Sequence, residues 1–190
     1  MERKYKEGEE FEKLDFTVDR LAIGDYENCH FNHCNFSNSD LSDCHFIECT
    51  FTNSNLVRST LTRVSFRDVS FKDCKMMGLH FEDCNQFMLT IGFDQCILDY
   101  SSFDQLKIQK TGFSNCHMHE THFNGTDLTG AVFNASDLLG ARFDKSSLEK
   151  TDFSSASNYS IDPEKNVLKK ARFSLGGLPG LLDKYGIVVE

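Results

Sequence analysis

Residues 121–145 read Thr121-His122-Phe123-Asn124-Gly125, Thr126-Asp127-Leu128-Thr129-Gly130, Ala131-Val132-Phe133-Asn134-Ala135, Ser136-Asp137-Leu138-Leu139-Gly140, Ala141-Arg142-Phe143-Asp144-Lys145. In each group of five the third residue is large and apolar, the first is small, and the charged residues fall on the other three. This period matches neither the 3.6 residues of a helix nor the 2 of a strand. A chain that turns a corner every five residues satisfies it, burying two positions per side and leaving three outside. Four such sides close a square coil of twenty residues. Stacked coils then pair backbone to backbone at about 4.8 Å, as adjacent parallel strands do.

Outward from this block, the large series runs forward through Leu148 to Phe153 and back through Met118, Phe113, Ile108, Phe103, Leu98 and Phe93 to Met88. Before Met88 it is displaced by two residues and then continues from Phe81 back to Phe11 in a second phase. The two extra residues are placed within Asp83–Phe87, where a small bulge absorbs them. Residues twenty apart share an interior column. Phe31, Phe51 and Phe71 continue as Phe93, Phe113, Phe133 and Phe153, and Phe103, Phe123 and Phe143 stack on the opposite side. Each fully buried ring stabilises by about 1.5–3 kcal/mol. The stack of 31, 51, 71, 93, 113, 123, 133, 143 and 153 is therefore the expected core.

These units resemble the pentapeptide-repeat proteins, most closely at Ser39-Asp40-Leu41-Ser42-Asp43, Thr126-Asp127-Leu128-Thr129-Gly130 and Ser136-Asp137-Leu138-Leu139-Gly140. The resemblance implies an all-β fold, a right-handed quadrilateral parallel β-helix of about seven coils. It also implies a distant similarity to the quinolone-resistance branch, whose members resemble B-form DNA and bind DNA gyrase. In that branch a C-terminal helix forms the dimer contact.

The chain divides into a β-helix over 1–157 and a closing segment over 158–190, comprising an excursion loop, a last repeat at Ala171-Arg172-Phe173 and a cap. In the cap, Pro179 suits the first turn of a short helix and Gly186 its C-cap, with a strand-like tail after it. A solenoid end exposes core and unpaired backbone, so a cap is required. Leu178, Leu181, Leu182, Tyr185, Ile187 and Val189 exceed what one coil end needs, and they are candidates for capping and for a homodimer contact.

All eight cysteines (29, 34, 44, 49, 74, 84, 96 and 116) fall on the small inward position. They read as compact wall residues, and no CxxC supports a zinc site. His117-Met118-His119-Glu120-Thr121-His122 is the one local run of metal-ligand residue types. Met118 points inward, so His117 and His119 flank it outside. The expectation for His117, His119 and His122 is solvated corner residues, with no metal and no cofactor.

The formal net charge of −9 argues against direct contact with nucleic acid or an anionic membrane. Acids without bases occupy Asp25–Glu48 and Glu82–Asp104, separated by a basic band of Arg58, Arg63, Arg67, Lys72 and Lys75 that interrupts any phosphate-like track. Near the phase shift, Met77, Phe87, Leu89 and Ile97 are apolar at outward positions, either as a contact patch or as the cover of the bulge. No apolar run approaches the roughly 20 residues of a membrane-spanning helix. MERKYKEGEE lacks the apolar core of a signal peptide, so the expected location is cytoplasmic. The interior is filled, and no nucleophile–base arrangement or phosphate loop is present. The chain is expected to be no enzyme but a binding or scaffold protein that meets a protein partner through its outer faces, with a gyrase-directed DNA mimic as the alternative.

Overall fold

Parallel pairing at a constant register is the first consequence of the five-residue period. The computed structural model describes residues 3–188. On face one, strands Lys4–Glu7, Gly24–Glu27, His45–Ile47 and Ser65–Arg67 form a parallel sheet. On face two, a nine-stranded parallel sheet runs from Glu10–Glu12 to Arg172–Phe173. Faces three and four are joined by single bridges, such as Asn35 to Asn55 and His122 to Arg142. One strand of face two belongs to each coil, so nine strands mark eight complete turns, one more than expected. Crossovers between parallel strands are right-handed, and the whole is a right-handed quadrilateral β-helix.

The interior is a set of ring stacks. On face two, Phe113 and Phe133 lie 4.8 Å apart between ring centroids and 6° from parallel. On face four, Phe103 and Phe123 lie 5.1 Å apart at 7°. The two columns meet edge to face, Phe113 on Phe123 at 5.8 Å and 82°. The stacking distance follows the coil rise, and the edge contacts arise because the two columns face each other across the square. Each aromatic pair adds about 0.5–1.5 kcal/mol to area burial. Phe31, Phe51, Phe71, Phe93, Phe113, Phe123, Phe133, Phe143 and Phe153 are all buried.

The small position does more than fill space. Ser136 Oγ donates to the carbonyl of Phe113 at 3.0 Å, and Thr126 Oγ1 to that of Phe103 at 2.8 Å. Cysteines make the same bond: Cys49 Sγ donates to Tyr26 O at 3.2 Å and Cys74 Sγ to Phe51 O at 3.3 Å. A small side chain with one donor satisfies a carbonyl of the preceding coil, which is why Ser, Thr and Cys interchange there. All eight thiols are free and buried. Burial pushes Cys44 up to about 11 and Cys49 up to about 12, so both are neutral thiols near pH 7.

Three details differ from the sequence expectation. First, the register is still twenty at Asn85, whose N–H donates to Val64 O as Thr60 N–H does to Ser39 O, and is twenty-two at Ile91, paired with Val69. The extra residues therefore lie within 86–90, later than 83–87. Met88 is not an interior residue: it is 62% exposed with φ 56°, and Leu89 packs against the core in its place. Second, 158–170 makes no excursion. Asp137 still bridges Ser157, Ser147 bridges Val167 and Phe153 pairs with Phe173, so the segment builds the eighth coil, with Tyr159 and Ile161 turned inward. Third, the expected short capping helix is present in 3-10 form, Leu175–Leu181, with Ser174 Oγ accepting from Gly177 N–H at 3.1 Å, and a second 3-10 turn, Asp183–Tyr185, follows it. Pro179 lies inside the first turn, Gly186 ends the second at φ 61°, and Ile187 and Val188 form no strand. Val189 lies outside the described residues.

Both ends are closed by close backbone approach. The Lys4–Glu7 strand lies over Gly24, where any Cβ would meet Lys4 O at 2.5 Å. Lys6 takes the position above Tyr26, half-buried and paired with Glu9 at 2.8 Å. At the other end the first 3-10 turn lies on Tyr159, so close that a Cβ on Gly180 would overlap Tyr159 O.

Removing Gln86 and Phe87 returns the register to twenty and puts Met88 at the interior position. This deletion is expected to fold, with a β circular-dichroism spectrum and a melting temperature within a few degrees of the parent. Loss of cooperative melting would refute this placement of the slip.

Candidate interaction faces

A filled interior leaves chemistry to the three outward positions of each side, where every residue has neighbours twenty positions away. Face three carries the histidine run. His117 and His119 project on either side of Met118, which is fully buried. His119 lies one coil beyond Asp99, whose Oδ1 accepts from His119 N–H at 2.9 Å. His117 bridges Asp137 in the following coil. Asp137 Oδ2 meets His119 Nε2 at 2.9 Å. Its Oδ1 accepts from Asn158 Nδ2 at 2.8 Å and from Leu139 N–H at 3.2 Å. The bond to Asp137 holds the His119 imidazole above the usual histidine range, against partial desolvation. Desolvation opposes the charge of Asp137, but His119 and Asn158 outweigh it and hold that carboxyl low. His122 stands on face four, bridging Ser102 and Arg142, and does not join this group. Asp99 and Asp137 were not singled out from sequence, although their spacing of twenty from His119 and His117 is the signal that locates them.

Face four carries a column of side chains in register: Glu82, Asp104, Asn124 and Asp144. Asn124 donates to both oxygens of Asp104, from its N–H at 2.6 Å and from Nδ2 at 3.3 Å. Arg142 and Lys145 flank the column.

The basic band is a belt. Arg58 and Arg63 stand at corners with φ of 54° and 58°, Arg67 lies on face one, Lys72 on face two and Lys75 on face three. It encircles nearly one coil, so it cuts every face. Arg63 is paired with Asp43 through two 2.7 Å bonds.

The apolar group near the phase shift is not one patch. Met77 and Ile97 lie on face three, whereas Phe87 and Leu89 lie on face one, across the square. Leu89 packs on the core, and Phe87, 66% exposed, lies beneath the Arg67 guanidinium at 5.5 Å. Met77 and Phe87 are ten positions apart, two sides of the square, which puts them on opposite faces. At the C-terminal end, Leu181 packs on the core, Leu182 is half-buried, and Leu178, Tyr185 and Ile187 are exposed.

Among the described residues no helix is long and apolar enough to cross a membrane.

Coils of this size with this repeat define a class, the quadrilateral β-helix, and the family follows from the sequence profiles that match. "Pentapeptide repeat region" matches residues 25–103 and "Pentapeptide repeats (8 copies)" matches residues 112–149. The chain belongs to the pentapeptide-repeat family. Among solved structures it is similar to a trypsin-treated form of QnrB1, a plasmid-mediated fluoroquinolone resistance protein, at 16% identity over 100% of both chains with a TM-score of 0.52. A second trypsin-treated form gives 20% identity over 99% of this chain and 98% of that one, with a TM-score of 0.48. HetL, involved in heterocyst differentiation regulation in the cyanobacterium Nostoc, gives 13% identity over 88% and 86%, with a TM-score of 0.29. No curated protein matches the chain at a significant level.

The His119–Asp137 pair has a measurable signature. A raised folded pKa contributes stability that is fully present below the ordinary histidine value of 6.5 and is lost as pH rises through the folded value. An NMR titration is expected to place the His119 imidazole above 6.5, and Asp137→Asn to return it toward that value. An unchanged midpoint in the variant would remove the pair.

Proposed function

We propose that this chain is a non-enzymatic binding protein that engages a protein partner through an outer face of a filled β-helix. The observation that carries this reading is the continuous interior. Phe31, Phe51, Phe113, Phe133 and Phe153 are fully buried from the second coil to the eighth, and the grooves on the described residues lie at corners and ends. Chemistry in a pocket between coils has no room, whereas the faces are flat, rigid and chemically distinct from one another. A protein partner suits them because a coil rise of about 4.8 Å repeats the same lateral spacing along each face.

A second reading, a topoisomerase-directed DNA mimic, is favoured by one observation. The face-four column places Glu82, Asp104 and Asp144 in a line along the helix axis. The belt at 58–75 confines that line to the C-terminal half of the molecule. Direct binding of nucleic acid or of a membrane is not part of either reading, given the net charge of −9.

Photo-crosslinking side chains at Asn124 on face four, Ser114 on face two and Gln109 on face one test both readings in cells. One face is expected to yield a discrete protein adduct. An adduct containing a gyrase subunit, formed from position 124, selects the mimic. Equal or absent adducts on all three faces overturn the binding reading.

We propose further that the C-terminal end forms a homodimer contact. The 3-10 turns close the last coil with Leu181, yet leave Leu178, Tyr185 and Ile187 at 42%, 57% and 57% exposure. Light scattering at tens of micromolar is expected to give twice the chain mass, and Tyr185→Glu with Ile187→Glu the chain mass. A parent protein that elutes as a monomer ends this proposal.

A further inference from the structure

We infer that Asp99, His117 and His119 on face three form a binding site for one divalent transition-metal ion of the zinc, nickel or cobalt kind.

The case begins with the backbone. His117 and His119 are two residues apart on one flat side, with Met118 fully buried between them, so both imidazoles project from the same face. The preceding coil brings Asp99 next to His119. One potential ligand atom from each of Asp99, His117 and His119 lies within 4.8 Å of the others. Metal–nitrogen and metal–oxygen bonds of about 2.0–2.2 Å in a tetrahedral site require ligand atoms a little over 3 Å apart. The remaining closure is within reach of side-chain rotation, because His117 is exposed and Asp99 half-exposed. The backbone need not move.

The surroundings supply orientation. His119 Nε2 lies 2.9 Å from Asp137 Oδ2. Asp137 is itself fixed by Asn158 and Leu139, whose donors both meet Oδ1, so its second oxygen is left for the imidazole. With Nε2–H donating to that carboxylate, the lone pair of His119 resides on Nδ1. A carboxylate that takes the remote N–H of an imidazole fixes the tautomer and raises the basicity of the other nitrogen, the arrangement found behind metal-ligating histidines. Asp99 is held in turn by His119 N–H at 2.9 Å. Ile97 and Leu139 flank the group as the face-three neighbours of His117 and His119 in the adjoining coils. Two imidazoles and one carboxylate suit zinc, nickel, cobalt or copper, whereas calcium and magnesium take sets built from oxygen.

Solvent-exposed histidines without a metal are the alternative, and calorimetry separates the two. Zinc or nickel chloride titrated into the full-length protein under a phosphine reductant is expected to bind at one ion per chain. His117→Ala and His119→Ala should each weaken binding at least tenfold. Asp99→Asn should weaken it as well, while keeping an oxygen acceptor for His119 N–H. His122→Ala, on face four, should leave it unchanged. Circular dichroism of every variant should superimpose on the parent, since all four side chains point outward, and cobalt should give the visible bands of a tetrahedral site. Absence of a saturable one-to-one event in the parent overturns the inference. Binding that survives in the folded double variant His117→Ala/His119→Ala, or that Asp99→Asn leaves unaltered, does so as well.

Discussion

Every other feature of this molecule depends on the constraint that each interior side chain must stack on one from the next coil while the two backbones hydrogen-bond. The stack of Phe31 on Phe51, at 4.6 Å and 9°, and the parallel pairing of His30–Asn32 with Thr50–Thr52 are one geometric fact seen from inside and outside. A change of register moves interior residues out and outward residues in, so register is enforced by the whole apolar content of a coil. That is why the two additional residues at 86–90 are expelled as an exposed turn rather than shared among several coils. Leu89 rather than Met88 meets the core there because the backbone re-enters the ladder at Thr90, whose N–H bonds Phe66 O.

The same constraint explains the corners. Almost every side ends in a residue at φ near 50–66°, including Arg58, Glu48, Lys110 and Lys150. Such backbone is unfavourable for most side chains. It persists because the alternative is to break the coil, and the loss of several buried aromatic contacts outweighs the local strain.

Function is displaced outward by the filled core. Residues that meet on a face are separated by twenty or twenty-two positions, so a surface group is assembled across coils rather than along the chain. Asp99, His119 and Asp137 are one example, and Glu82, Asp104 and Asp144 are another. The rigidity of the ladder lets such groups be held without loops or helices. The belt at 58–75 is the counter-example of a linear cluster that becomes a ring, because it is nearly one coil long. It divides the surface into an N-terminal and a C-terminal part on every face.

The five-residue period by itself determined the class of fold, the interior columns, the inward place of all eight cysteines and the outward place of every histidine, because burial in a square coil depends only on position within the repeat. It did not decide what Ser, Thr and Cys share at the wall, which is a hydrogen bond to a carbonyl of the preceding coil. Lys6 hid the first strand, since a charged residue at an interior position reads as the end of the pattern, yet its stem and its pairing with Glu9 close the open end. The segment after 157 likewise reads as an excursion, yet Tyr159 and Ile161 turn inward and keep the eighth coil closed. Only the tertiary structure decided the site of the slip and the hydrogen bonds that join His119 to Asp99 and Asp137. The physical reason is that interior positions follow from local spacing, whereas outer contacts depend on side-chain conformation and on the register between coils, which a two-residue slip changes from twenty to twenty-two at one crossing.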